Sequence, residues 1–287
     1  MSTVVQIGQA WHGFHRTKHL VIFGDSYSSV MGDHNERPVP TSAVPLAVPF
    51  PGTQDGLWNE PGRPNWVGHL LTKYRAGPLF QPGTTHQDPT WSKRPLLVYD
   101  YAEGGAEVMD VADQISCFLK SRTQPSLTAP AQALFVVWVG INDCADCHPE
   151  NVEPLFYHIE SLYRAGARNF LFIDVPPIHR SPALTPCEDE RQESVPYLMW
   201  NKMLRDSAKT FANAHRDATV MVCSSFHMFQ TILDYPEGYG FHRKDAYQSQ
   251  GNIWYDCLHP TSAMHEQIAY CICKFLAGIR PHPSATA

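Results

Sequence analysis

Two short segments of the sequence hold residue types that can break an ester bond. Ser26 closes the tripeptide GDS, which directly follows a short apolar run, and far downstream Asp256 stands three residues before His259. A serine at a strand-to-helix turn of a parallel sheet points its hydroxyl into the crevice at the sheet edge. An aspartate at this spacing can accept the Nδ1–H of the imidazole and turn Nε2 toward a serine. The two segments therefore predict a nucleophile, its base and the residue that orients the base.

Each segment also has an ordinary structural interpretation. GDS can be a turn that caps a helix, and in a chain with 15 histidines one Asp-x-x-His pair is unremarkable. Two further segments, GG at 104–105 and GIND at 140–143, each follow another apolar run. A glycine amide and the side-chain amide of Asn142 are donors of the kind that stabilise an oxyanion, although a tight turn and a local Asx-turn would explain them equally. Taken together, the four segments favour one catalytic site at a sheet edge.

The elements that would position these segments are visible as apolar runs. Five runs are continuously apolar and rich in β-branched residues, as expected of strands buried on both faces of a parallel sheet, and they cover residues 20–23, 97–101, 134–139, 170–175 and 219–223. Helical patterns lie between them, among them 196–214 and a last helix capped by Thr261 or Ser262. We expect a three-layer α/β/α domain spanning residues 1–287, with a central parallel sheet of about five strands.

Three segments fall outside the strand–helix alternation. Residues 1–17 are expected to form an N-terminal extension, and residues 31–65 and 176–195 are long loops rich in proline. Loops longer than about 12–15 residues are often functional. Both loops follow the carboxyl ends of predicted strands, where open α/β sheets bind ligands, so they are expected to wall the substrate site.

The composition disfavours nucleic acid as a partner and a membrane-spanning segment. The chain is 43% hydrophobic with a net charge of −6, so it can bury a large core and has no basic surface suited to nucleic acid. No run reaches the roughly 18 apolar residues that a membrane span needs. The first residues lack the features of a signal peptide, which favours an intracellular protein; a secreted protein whose signal was removed is the alternative. Eight cysteines fit either compartment.

The four segments together resemble the sequence blocks of the GDSL/SGNH hydrolase family over residues 23–265. The matching blocks are FGDS at 23–26, YAEGGA at 101–106, GIND at 140–143 and DCLHP at 256–260. The resemblance implies a flavodoxin-like fold and no metal or organic cofactor. It further implies a catalytic triad of Ser26, His259 and Asp256, and an oxyanion hole made by the Ser26 amide, the Gly105 amide and the Asn142 side chain.

A closer resemblance, to fungal-type carbohydrate acetylesterases, rests on KHLVIFGDSY at 18–27 and RPNWV at 63–67. It implies hydrolysis of small acyl esters, above all acetyl esters, of carbohydrates or related polyols through an acyl-enzyme. The chain departs from these relatives at Asp100, where they often have asparagine, and at Gly104, where some have serine. Gly104 therefore stays open as an alternative donor to Gly105.

Neighbours of the predicted triad suggest two further features. Tyr27, Trp254 and Tyr255 flank it and are expected to contact the substrate, although aromatic residues more often pack in a core, as predicted for Trp66. The segment CADCH at 144–148 lacks the second Cys pair that a zinc site needs. Cys144 and Cys147 are then either two thiols on the loop beside Asn142 or a local disulfide; by resemblance, the disulfide would brace this loop in a secreted protein.

The leading prediction is thus a serine esterase acting on a small-molecule or carbohydrate ester. The alternatives are a lipase- or lysophospholipase-like hydrolase of longer acyl chains, or an acyltransferase that excludes water. A non-catalytic binding protein on the same fold is disfavoured, because each triad position is occupied by the required residue. The sequence leaves the oligomeric state open.

Overall fold

The apolar runs of the sequence form the inner strands of a mixed sheet. The computed structural model describes residues 1–31, 38–52, 60–84, 87–121, 129–145, 152–184 and 194–285. Its strands are β1 (Thr3–Gln6), β2 (His19–Gly24), β3 (Leu97–Asp100), β4 (Ala133–Trp138), β5 (Asn169–Ile173) and β6 (Thr219–Cys223). Each predicted strand is confirmed within two residues of its expected ends.

The strand order places a crevice in the middle of the sheet. The order is β1-β6-β5-β4-β2-β3, and all neighbouring strands are parallel except β1, which pairs antiparallel with β6. The parallel part follows the flavodoxin-like order. From β2, the chain first adds β3 on one side and then adds β4, β5 and β6 on the other, so the strand order reverses between β2 and β4. Ligands of such sheets bind beyond the carboxyl ends of the strands at this reversal.

Strand β1 lies inside the segment predicted as an N-terminal extension. Of its four residues, TVVQ, the first two are exposed and the other two are partly buried, and β1 lies at the edge of the sheet. A short edge strand has neither the continuous apolar run of a buried strand nor a long alternation, which is why the sequence did not reveal it.

Helices cover the sheet in two layers. They are α1 (Trp66–His69, continued as a π-helix over Leu70–Tyr74), α2 (Pro89–Lys93), α3 (Val108–Lys120), α4 (Ile141–Ala145), α5 (Val152–Arg164), α6 (Val195–Ala214), α7 (Ser225–Asp234) and α8 (Ser262–Ala277). Helix α5 packs between α3 and α6, and α1 packs against α8. The predicted three-layer α/β/α fold is confirmed. Among the described residues, no helix combines the length and apolar character needed to cross a membrane.

Two helix caps fix the elements nearest the crevice. The Asn65 side chain accepts a hydrogen bond from the Val67 amide at the start of α1, and Trp66 behind it is fully buried, as predicted. The Thr261 hydroxyl caps α8 by accepting from the Met264 amide at 3.2 Å. The long loops fall partly outside the described residues; the described part of 31–65 contacts α8, because Pro64 O accepts from the Ser262 hydroxyl at 2.7 Å.

Candidate active site

Ser26 lies in the turn that follows β2, the strand between β3 and β4. The turn is tight, because the Asp25 amide donates to Trp138 O at 3.3 Å. Gly24 has φ of 154°, and a Cβ at this position would lie 1.9 Å from that same carbonyl oxygen. Only glycine fits there, so Gly24 lets the chain turn closely over β4 and bring Ser26 to the edge of the sheet.

His259 and Asp256 lie at the tip of a hairpin-like loop, residues 251–261, that leads into α8. A bridge between Trp254 and Pro260 holds the two arms of the hairpin together, with the Tyr255 amide donating to His259 O at 2.8 Å. Nδ1 of His259 is 2.7 Å from Oδ2 of Asp256, and Nε2 of His259 is 3.0 Å from Oγ of Ser26. The structure therefore joins the three residues in one hydrogen-bonded chain.

The charge of Asp256 determines which nitrogen of His259 carries the proton. Burial raises the pKa of Asp256, but the amides of His259 and Leu258, both 2.7 Å from Oδ1, together with the imidazole, lower it by more. The net effect is a lowered pKa, so the carboxylate is ionised at neutral pH and accepts the proton carried by Nδ1. Nε2 is then the acceptor nitrogen, and the Ser26 hydroxyl donates to it.

The predicted oxyanion donors follow the two strands beside β2. Gly105 lies in the turn after β3 with φ of 77°, a left-handed conformation that favours glycine. Asn142 lies in the first turn of α4, just after β4, and its Nδ2 donates to Ala106 O at 2.9 Å. That bond uses one of the two amide hydrogens and fixes the plane of the side chain, so the second hydrogen has a set direction.

Two buried carboxyl groups support these turns, and the sequence analysis did not single them out. Asp25 and Asp143 are both fully buried. Asp25 Oδ1 accepts from the Tyr27 amide at 3.0 Å, and Asp143 Oδ1 accepts from the Val108 amide at 3.3 Å. Burial, together with the nearby Asp143 carboxyl, raises the pKa of Asp25 to about 7. The signal was available, because one acid directly precedes Ser26 and the other directly follows Asn142.

The structure contradicts the substrate contacts expected of two aromatic residues. Tyr27 and Trp254 are both fully buried, so neither offers a ring face to a ligand. The Tyr27 hydroxyl instead donates to Leu258 O at 2.7 Å, and Trp254 Nε1 donates to Ala246 O at 3.2 Å. Tyr27 thereby ties the serine turn to the hairpin 251–261. Tyr255 is half-buried, and a substrate contact for it stays a prediction.

The cysteine segment after β4 can be followed only in part. Cys144 is buried at the end of α4, whereas Cys147 and His148 lie outside the described residues, so the disulfide prediction is untested. Over the part of the chain that the structure describes, no group of three or more His, Cys, Asp and Glu residues could hold a metal ion.

A second cluster of acid and serine residues lies at the same sheet edge, after β5 and β6. Asp174 follows β5 and is fully buried. Its carboxylate accepts hydrogen bonds from the Ser224 hydroxyl at 2.8 Å, from the Phe226 amide at 2.9 Å and from the guanidinium of Arg205. We name this group the Asp174 cluster, and the chain of Ser26, His259 and Asp256 the His259 cluster.

Comparison with known proteins gives consistent results. The family model of GDSL-like lipase/acylhydrolase matches residues 20–272. An acetylesterase of Thermothelomyces thermophilus is 29% identical over 89% of this chain and 87% of its own length. A thermolabile hemolysin of Vibrio parahaemolyticus is 22% identical over 74% of this chain and 57% of its own length.

Solved structures with the same fold include an acetylxylan esterase from Geobacillus stearothermophilus, with a TM-score of 0.54, 12% identity, and coverage of 97% of this chain and 98% of that one. An α/β hydrolase enzyme from the metagenome of Lake Arreo, Spain, has a TM-score of 0.52 and 16% identity, covering 93% of this chain and 100% of the other. The resemblance predicted from the sequence blocks is confirmed by the family match and by the acetylesterase relative.

Proposed function

Because the chain belongs to the GDSL-like lipase/acylhydrolase family and is thus a carboxylic ester hydrolase, we propose that the His259 cluster is its catalytic triad. The observation that carries the proposal is the hydrogen-bonded chain itself. An ionised carboxylate holds Nδ1–H of the imidazole at 2.7 Å, and Nε2 stands 3.0 Å from a serine hydroxyl. This arrangement lets an imidazole take a proton from the hydroxyl as the oxygen attacks a carbonyl carbon.

The reaction then runs in two steps. In the first, Oγ of Ser26 bonds to the ester carbonyl carbon while Nε2 of His259 takes its proton. The C–O bond to the alcohol breaks, and His259 returns the proton to the leaving alkoxide. In the second, a water molecule gives a proton to Nε2 of His259 as its oxygen attacks the acyl-serine carbonyl. The bond between the acyl carbon and Oγ then breaks, the acid leaves, and His259 returns the proton to Oγ, which restores the Ser26 hydroxyl.

The negative charge on the carbonyl oxygen needs donors at each step. We assign the Ser26 amide, the Gly105 amide and the second hydrogen of Asn142 Nδ2 to this role. The support is positional, since the three turns follow the adjacent strands β2, β3 and β4. Donors on rigid turns need little reorganisation as the charge develops, which is the main source of rate in such sites.

For the substrate we propose a small acyl ester, above all an acetyl ester, of a carbohydrate or related polyol. The acetylesterase relative at 29% identity supports the acyl part. The sequence segments 18–27 and 63–67 support the alcohol part through their resemblance to carbohydrate acetylesterases. The structural neighbours support the fold alone.

The test compares p-nitrophenyl acetate, butyrate and octanoate as substrates of the purified protein, with Ser26→Ala as the matched inactive variant. We expect kcat/KM to be greatest for acetate, to fall with chain length and to vanish in the variant. A maximum at octanoate would replace the acetyl proposal by a lipase-like function. Equal activity of wild type and Ser26→Ala would refute the triad.

A further inference from the structure

The short helix α1 lies between the two loops that carry the proposed triad. Residues at its amino end bond to the turn that follows Ser26, and His69 bonds to the start of α8, just after the hairpin 251–261. Asn65 and Trp66 are fully buried, and His69 is 5% exposed. The proposed triad and oxyanion donors include none of these three side chains.

The amino end of α1 is held on the serine turn by three hydrogen bonds. Nδ2 of Asn65 donates to the carbonyl oxygens of Ser28 and Ser29 at 3.1 and 3.0 Å. Nε1 of Trp66 donates to Oγ of Ser28 at 3.2 Å. The amides of Ser28 and Ser29 donate to Asp25 O at 3.1 and 3.3 Å, so the turn itself is compact. Buried hydrogen bonds are costly to break, so α1 and the serine turn form one unit.

His69 holds the other end of α1 on Ser262, the first residue of α8. Nε2 of His69 lies 2.9 Å from both the carbonyl oxygen and the hydroxyl oxygen of Ser262. The Ser262 hydroxyl donates its only proton to Pro64 O at 2.7 Å, and a carbonyl oxygen can only accept. Nε2 therefore carries a proton and donates it to the two oxygens of Ser262.

The surroundings of His69 leave it with this one N–H. Burial and, to a smaller extent, the charge of Lys73 lower the pKa of His69, while the Glu266 carboxylate, 3.9 Å from Nδ1, raises it by less. The ring is therefore neutral at neutral pH. Its Nδ1 is buried and makes no hydrogen bond to any residue that the structure describes. The contact with Ser262 is thus the polar function of this side chain.

Ser262 is closely joined to the hairpin 251–261. It follows His259 by three residues, and between them the Thr261 amide donates to Ile253 O on the opposite arm at 2.9 Å. The bridge described above joins the same two arms nearer to the tip. The position of Ser262 therefore determines the position of the base of the hairpin, while the Tyr27 hydroxyl holds its tip.

We infer that α1 is a spacer that determines the distance between Ser26 and His259, and that His69 is the positioning residue through which it acts. The inference rests on the proposed esterase function. From Asn65 to His69 the helix rises by about 6 Å, at 1.5 Å for each residue, and a helix keeps its length better than a loop does. A misplacement of about 1 Å can cost about 10²-fold in rate, so loss of the N–H at Ser262 should slow the reaction.

The kinetic test replaces His69 by leucine and by glutamine. We expect His69→Leu to lower kcat for p-nitrophenyl acetate by about 10- to 100-fold with KM within about twofold, because alignment changes and binding does not. Glutamine can place an amide N–H where Nε2 lies, so His69→Gln should keep kcat within about threefold of wild type. The matched control is Lys73→Met, which breaks the exposed 2.6 Å ion pair with Glu266 between the same two helices and should keep kcat.

Labelling with an alkyl fluorophosphonate separates this inference from the triad proposal, because it reports the reactivity of Ser26 without an ester substrate. Wild type and His69→Gln should be labelled at similar rates, and a His69→Leu protein that is folded by circular dichroism should be labelled at least about tenfold more slowly. If the leucine variant does not fold, His69→Asn replaces it, since its shorter amide does not reach Ser262.

The outcomes distinguish the two proposals. A wild-type protein that is not labelled at Ser26 would refute the triad itself. Equal labelling rates in wild type and the folded leucine or asparagine variant would overturn the role of His69 and leave the triad standing. A glutamine variant as slow as the leucine variant would overturn it too, because the N–H would then not be the group that matters.

Discussion

The His259 cluster and the Asp174 cluster stand at the same edge of the sheet and contain the same acid and hydroxyl groups. In the Asp174 cluster the serine donates directly to the carboxylate, at 2.8 Å between Ser224 Oγ and Asp174 Oδ2. In the His259 cluster an imidazole stands between the serine and the carboxylate. The Asp174 side chain is 0% exposed, whereas that of Asp256 is 36% exposed.

The difference shows which arrangement stabilises and which can react. A carboxylate is too weak a base to take a proton from a serine hydroxyl, so a direct bond between them only anchors two segments. An imidazole is the stronger base, and its two nitrogens let the carboxylate act from the far side. The Asp174 cluster therefore ties β5 to the start of α7, while the His259 cluster has the groups needed for acyl transfer.

Replacement of the serine in each cluster should give opposite results. We expect Ser26→Ala to lower kcat by at least about 10⁴-fold with little change in unfolding, because it removes the nucleophile. Ser224→Ala should keep kcat and lower the free energy of unfolding by about 1–3 kcal/mol, because it leaves a buried carboxylate short of a donor. Kinetics with p-nitrophenyl acetate and urea unfolding measure both; loss of activity only in Ser224→Ala would reverse the assignment.

Replacement of the aspartate in each cluster should likewise affect activity in one case and stability in the other. Asp256→Asn is expected to lower kcat by about 10⁴-fold, because the amide favours the wrong imidazole tautomer. Asp174→Asn should lower the free energy of unfolding by about 3 kcal/mol, since it leaves Arg205 without its buried partner. Circular dichroism and kinetics on both variants make the comparison, and an active Asp256→Asn enzyme would exclude the proposed orienting role.

An asparagine in each region extends the comparison to the oxyanion donors. Asn142→Ala should lower kcat by about 10²- to 10³-fold with KM nearly constant, because a donor to the transition state is lost. The matched control is Asn201→Ala, since Asn201 bonds the amide and the carbonyl of Val175 at 2.7 and 2.8 Å beside the Asp174 cluster. The control should lose stability and keep kcat. A larger change in KM than in kcat for Asn142→Ala would contradict the oxyanion role.

Tyr27 tests whether the His259 cluster depends on its bracing. Tyr27→Phe removes the hydroxyl that donates to Leu258 O, beside His259, and keeps the ring. We expect kcat to fall by about tenfold, since small misplacements of reacting groups are costly, while KM stays constant. A raised KM with unchanged kcat would instead restore the substrate contact that the buried position argues against.

The last comparison concerns stability alone and a buried acid whose charged neighbour is another carboxyl. Asp174 is paired with Arg205, whereas the charged group that acts on Asp25 is another carboxyl, Asp143. The folded pKa of Asp25 is raised to about 7 from an ordinary value of 3.8, so the unfolded chain loses this proton first. Its contribution to stability therefore falls as pH rises between these values and is constant above pH 7.

The corresponding measurement compares unfolding of wild type and Asp25→Asn from pH 4 to pH 8. The variant should gain stability relative to wild type up to about pH 7, the folded pKa of Asp25, and remain parallel above it. Asp113→Asn, at an exposed position of α3, serves as the control and should show no such trend. A constant difference between Asp25→Asn and wild type would mean that Asp25 does not retain its proton.

The sequence was sufficient for the inner part of the fold. Strands buried on both faces, such as β4 and β5, show continuous apolar runs that few other structures produce. Strand β1 was missed because half of its residues face solvent, and its pairing with β6 depends on the tertiary fold. The helix cap was predicted at Thr261 or Ser262 and lies at Thr261, since a hydroxyl residue before a helical pattern acts locally.

Within the site, the residues of the His259 cluster could be found because their types and order are distinctive. Tyr27 and Trp254 were misjudged because adjacency in sequence says nothing about the direction of a side chain. At a turn such as that of Ser26, successive side chains point to different sides, so one neighbour of an exposed residue is often buried. The Asp174 cluster joins residues far apart in the chain, and local patterns do not show it.

The hydrogen bond between Ser26 and His259 spans 233 residues of sequence, which has a consequence for synthesis. At about 5–20 residues per second, the serine turn exists for roughly 10 to 50 s before its base is made. Every strand of the sheet is complete before that contact can form. On the proposed mechanism, activity is therefore a late event of synthesis: secondary structure and the core can form first, and turnover requires that the hairpin 251–261 has docked.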